Sequence, residues 1–97
     1  MINFLMDKSN NKKMKYKIEI LPLADHFVVA AKDRVTGEVK ETFVLNESGV
    51  DMLRLFCKGN NVETVLQEMA EMYNVSSDLL KKDVMAFADR LKNKGIM

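Results

Sequence analysis

The hydrophobic period of this chain changes once, at Leu45–Asn46, and that change limits the folds open to it. Before the junction, apolar and polar side chains alternate as in a half-buried strand: Ile18 and Ile20 against Lys17 and Glu19, then Phe43 and Leu45 against Thr42 and Val44. After it, apolar residues recur every three or four positions, the spacing of one helix face. Strands followed by helices imply an α+β fold of order β-β-β-α-α-α, with the helices packed on one face of a small sheet.

The first strand starts at Lys17, and Pro22, which has no N–H to donate, belongs at a strand end or a sheet edge. The apolar, β-branched run Phe27–Ala31 predicts a second strand. Asp33 to Glu38 supplies turn residues, with Gly37 able to take positive φ. Val39–Leu45 is the third strand, and the short connections favour an antiparallel meander.

Asn46 is a good N-cap for the first helix, with Glu47 and Asp51 towards the positive end of its dipole. Val50, Leu53 and Cys57 form its core stripe beside Met52 and Phe56, and Gly59 ends it. Asn60 is expected to cap the second helix, with Glu63 completing a capping box. Val62, Val65, Leu66, Met69, Met72 and Tyr73 make the apolar face of that helix, and Asn74 closes it. Ser76 or Ser77 caps the third helix, which runs to about Lys94 before Gly95. Its core stripe is Leu80, Val84, Phe87 and Leu91; of the helical methionines, only Met85 falls off a core stripe.

A length of 97 residues suits one domain. Asp7–Lys15 is polar and Lys/Asn-rich with nothing to bury, so residues 1–15 read as a flexible basic arm and residues 16–97 as the folded domain. The net charge is +1, with basic ends flanking an acidic centre, which argues against a dedicated nucleic-acid binder. Cys57 is the only cysteine, which fits a reducing compartment and excludes an internal disulfide. Met1–Met6 is too short for a signal-peptide core, and no apolar run reaches the roughly 20 residues of a membrane span. The expectation is a soluble cytoplasmic protein.

Catalysis needs a positioned acid, base, nucleophile or metal. His26, the only histidine, has no partner at metal-site spacing and reads as an exposed residue opening the second strand. Cys57 lies on an apolar stripe and reads as a small core residue. No glycine-rich phosphate loop is present, and Glu68 and Glu71 read as a solvated helix face. The expectation is a non-enzymatic protein with no catalytic residue, no metal and no cofactor.

The run Phe43-Val44-Leu45-Asn46-Glu47-Ser48-Gly49 resembles the strand–Leu-Asn–helix junction of the PqqD family of pyrroloquinoline quinone biosynthesis. Leu53 with Lys58-Gly59, then Val62–Tyr73, then Asp83-Val84, Phe87, Leu91 and Gly95-Ile96 follow the helical part of that family in order and spacing. The resemblance spans Ile18 to Met97. It implies a winged-helix-like peptide-recognition element that binds the leader segment of a ribosomally made precursor peptide. Such an element presents the leader to a modifying enzyme, often a radical SAM protein. The leader would add as a strand to the edge of the third β-strand, along Lys40, Glu41, Thr42, Phe43, Val44 and Leu45. It would pack against the third helix, where Leu79 offers an apolar contact, Ala86 room for a backbone, and Asp83 and Arg90 fix the register.

Two other uses fit the same element order. A winged-helix DNA-binding regulator would place Lys81, Lys82, Arg90, Lys92 and Lys94 on phosphates. Against it, Asp78, Asp83 and Asp89 interrupt that surface, and the second helix carries Glu63, Glu68 and Glu71 without a cation. A structural subunit that docks on an enzyme without touching a peptide is the other.

Overall fold

The computed structural model describes residues 14–97. Six elements follow in order: β1 (Lys17–Leu23), β2 (His26–Lys32), β3 (Val39–Leu45), α1 (Glu47–Cys57), α2 (Val62–Tyr73) and α3 (Ser77–Asn93). The predicted α+β order is the observed one. The strands pair antiparallel in the order β1-β2-β3, so β2 is central and Pro22 lies near the end of an edge strand.

Register places Ile20 opposite Val29 and Val29 opposite Phe43, with Ile18 opposite Ala31 and Phe27 opposite Leu45. These residues share the inner face, against the helices. Leu21, Val28 and Val44 form a facing row on the outer side, where Leu21 and Val44 remain exposed. Ala31 pairs with Glu41 but Lys32 with Val39, so Lys40 is an extra residue on β3. A bulge of this kind bends and twists an edge, which hinders indiscriminate pairing with other chains.

The β2–β3 turn is built around Asp33. Its carboxylate accepts the N–H groups of Val35 and Thr36 at 2.8 and 2.9 Å, and Gly37, at φ 78°, donates its own to the Asp33 carbonyl at 2.9 Å. The backbone donors of Thr36 and then Val35 hold the Asp33 carboxyl below its ordinary value. At the sheet–helix junction the Asn46 side chain accepts Gly49 N–H at 2.9 Å, as expected of an N-cap.

The second cap is shifted by one residue from expectation. Asn61, not Asn60, caps α2 by accepting Thr64 N–H at 2.9 Å, so no capping box with Glu63 forms around Asn60. Asn60 instead donates its side-chain amide at 3.0 Å to the Leu55 carbonyl at the end of α1, which also accepts the Lys58 N–H at 3.2 Å. Ser76 caps α3. After it, Gly95 at φ 74° lets Ile96 donate back to the Leu91 carbonyl at 3.0 Å, and the Ile96 side chain is fully buried.

The core lies between the inner sheet face and the three helices. It contains Ile18, Ile20, Val29, Leu53, Phe56, Met69, Val84 and Leu91, with Phe56 and Phe87 rings 6.3 Å apart. Met72 and Tyr73 are exposed rather than part of the α2 core face, and Leu80 is only partly buried. Val65 and Met69 carry the buried face of α2, and only its last turn, with Met72 and Tyr73, stands clear of the core.

The folded body also starts earlier than residue 16. Met14 is buried at 4% exposure, Lys15 donates its N–H to the Ile96 carbonyl at 2.8 Å, and Arg34 donates to the Met14 and Tyr16 carbonyls. A basic stretch with one methionine can still supply a core residue, and Met14 does. The expected arm otherwise covers residues 1–13, which lie outside the described residues.

Candidate functional site

The strand order leaves one side of β3 without a strand neighbour among the described residues. Its side chains divide by the period of two: Phe43 and Leu45 are buried on the inner face, Lys40, Thr42 and Val44 are exposed, and Glu41 is half-buried. The carbonyl and N–H groups on that side form a row able to accept another extended chain.

α3 reaches this edge near its C-terminal end. Leu79, Asp83, Ala86 and Arg90, at spacings of four, three and four, are all exposed while Val84, Phe87, Ala88 and Leu91 turn into the core. The Arg90 guanidinium carbon lies 5.3 Å from the centre of the Phe43 ring, and the Lys94 ammonium lies 5.4 Å from it. Lys94 also reaches the Glu41 carboxylate at 4.0 Å. Strand and helix therefore meet through side chains at the end of α3, and the exposed row of the helix continues from there through Ala86 and Asp83 to Leu79.

Of the ten residues expected at a peptide site, Glu41, Phe43 and Arg90 are joined directly by this cluster or through Lys94. Lys40, Thr42, Val44 and Leu45 lie on the same strand, the first three solvent-facing and the last in the core. Leu79, Asp83 and Ala86 are exposed further back on α3. Lys94 is the member of this cluster that the sequence reading left out of the expected site; its signal was the four-residue step that continues the row from Arg90.

The remaining reactive side chains sit elsewhere. His26 opens β2 at the surface, 2.7 Å from Asp25. Burial pushes the Cys57 thiol up to about 12, with the thiol sealed among apolar side chains. Tyr73 donates its hydroxyl to Asp51 at 2.7 Å, and that bond, more than desolvation, raises its pKa to about 12. These two residues, with Glu47 and Met72, border a shallow surface cleft of about 370 Å³. Among the described residues no group of three or more His, Cys, Asp or Glu side chains could hold a metal ion, and no helix is long and apolar enough to cross a membrane.

An antiparallel sheet with an open edge, met by a helix that presents cations and an exposed leucine, is an architecture able to accept an added strand. The family described as coenzyme PQQ synthesis protein D (PqqD) matches residues 25–97, and the chain belongs to that family. In fold it is similar to TbiB1, solved in complex with the TbiA(beta) leader peptide. The two share 21% identity at a TM-score of 0.63, over 87% of this chain and 92% of TbiB1. No curated protein sequence matches.

Proposed function

We propose that this protein is a non-catalytic leader-peptide recognition element. It captures the leader segment of a ribosomally made precursor peptide and presents it to a modifying enzyme, such as a radical SAM protein, in the cytoplasm. The observation that carries the reading is the open β3 edge met by the end of α3 in a PqqD-family chain. Its likeness in fold to a protein solved with a leader peptide supports it. Main-chain hydrogen bonds to β3 would supply affinity, and the side chains of Lys40–Leu45 on β3 and of Leu79, Asp83, Ala86 and Arg90 on α3 would supply selectivity. The protein's role is then to raise the local concentration of a precursor at an enzyme that does the chemistry.

Titration of the labelled protein with candidate leader peptides, followed by amide NMR, tests this. Shifts clustered on residues 39–45 and 79–90 are the expected result. Tight, salt-sensitive binding of duplex DNA with no response to any leader peptide would overturn the reading.

A further inference from the structure

Arg90 and Lys94 are held differently from several other cations of the fold. Lys32 lies 2.8 Å from Glu19, Lys40 3.1 Å from Glu38 and Arg54 3.7 Å from Asp51. Arg90 has no carboxylate at ion-pair distance among the described residues, and Lys94 reaches Glu41 only at 4.0 Å. Both instead lie over the Phe43 ring. A cation on an aromatic face keeps its charge and its N–H donors while losing rotamer freedom. Two oriented cations therefore stand beside the unpaired edge of β3 with most of their donors unused. A carboxylate offers the geometry that a guanidinium fork matches with two parallel hydrogen bonds.

The other end of the exposed α3 row is apolar. Leu79 is 70% exposed near the start of α3, and the row back to Arg90 passes only Asp83 and Ala86. The exposed row thus has direction, cationic where α3 ends and apolar where it begins. From Leu79 to Arg90 the helix rises roughly 16 Å at about 1.5 Å per residue, a distance that an extended chain covers in about five residues. β3 runs opposite to α3, since Glu41 meets Lys94 and Phe43, further along the strand, also meets Arg90. A peptide added antiparallel to β3, the commoner pairing, would follow the direction of α3.

Resting on the reading that β3 takes up a peptide strand, we infer that Arg90 and Lys94, stacked on Phe43, select an Asp or Glu side chain of that peptide. A large apolar residue about five positions earlier in the peptide lies against Leu79. Glu41 and Asp83 flank the site with negative charge, which disfavours the continuous phosphate backbone of a nucleic acid while leaving a single carboxylate accommodated.

The test is selection of a randomised peptide library by the full-length protein. Enriched sequences are expected to carry an apolar residue followed, about five positions on, by Asp or Glu. One selected peptide and its Glu→Gln form are then titrated against the native protein and the Arg90→Gln/Lys94→Gln variant. Losing the peptide carboxylate is expected to weaken binding to the native protein about ten-fold, the scale of a charged hydrogen-bonded pair. The variant is expected to bind both peptides equally weakly. The peptide-side substitution leaves the protein intact, and the amide spectrum of the variant reports its fold. Selected peptides that shift the β3 amides but show no acidic preference, or that bind the variant as tightly, overturn the carboxylate site and leave peptide capture standing. Peptides that leave the β3 amides unmoved overturn both. So does salt-sensitive binding of a short DNA duplex, lost in the variant, when the selection returns no peptide.

Discussion

At the scale of single residues, burial decides which polar or reactive groups are available for chemistry. Cys57 sits at 1% exposure with its thiol pKa raised to about 12, so it stays neutral at any physiological pH and cannot act as a thiolate nucleophile. The sequence predicted this from its place on the stripe with Val50 and Leu53. The same shift couples to stability. Between the ordinary thiol value of about 9 and the raised one, the native state keeps a proton that the unfolded chain has released. The contribution is fully present below pH 9 and is lost as the pH rises towards 12. Two outcomes are expected: native protein resists thiol-specific labelling at pH 8 until urea unfolds it, and Cys57→Ala reduces the loss of stability above pH 9. Rapid labelling of the folded protein at pH 8 would contradict the buried placement. Phe43 shows the reverse case, a core residue at 8% exposure whose ring face still reaches cations at the surface.

At the scale of elements, the change of hydrophobic period located β3 and the three helices well because each strand face or helix stripe is set by residues a few positions apart. Val39–Leu45 is the third strand as read, and Asn46 caps α1 as read. Two adjacent asparagines were not separable in this way. Asn60 and Asn61 have the same capping chemistry, and the choice depends on where the Leu55 carbonyl lies after α1 ends. Likewise Met72 and Tyr73 continue the apolar spacing of α2, yet both lie at the surface beyond the last contact that Met69 makes with the core. The cluster of Phe43 with Arg90 and Lys94 joins residues some fifty positions apart in sequence, so its strand half and helix half were legible but their meeting point was not. The cap assignment carries its own test. Asn61→Ala is expected to cost about 1 kcal/mol, the usual value of an N-cap side chain. It should also speed hydrogen exchange at the Thr64 amide. Asn60→Ala should leave that amide protected, its effect falling on the last turn of α1; faster exchange at Thr64 in Asn60→Ala would reverse the assignment.

At the scale of the whole molecule, the fold is closed by contacts between its two ends as well as by its central core. Lys15 donates to the Ile96 carbonyl, Met14 is buried in the same cluster as Ile96, and Arg34 from the β2–β3 turn donates to the Met14 carbonyl. Ile96 in turn is placed by the chain reversal after α3, the helix whose last turn bears Arg90 and whose cap is Lys94. The residues preceding β1 therefore help fix the end of α3, and through it the position of both cations over Phe43. A domain this small has little redundant apolar contact, so losing one buried methionine should register. Met14→Ala is expected to cost about 2–3 kcal/mol, towards the lower end of large-to-alanine core changes, because an unbranched side chain outside the regular elements leaves a site that can partly collapse. A urea denaturation curve measures that cost. In amide NMR the loss should appear at Ile96 and along the last turn of α3, with β3 less affected. If Met14→Ala unfolds at the same urea concentration as the native chain and leaves the Ile96 amide unmoved, the body begins at Tyr16 and the two ends fold independently.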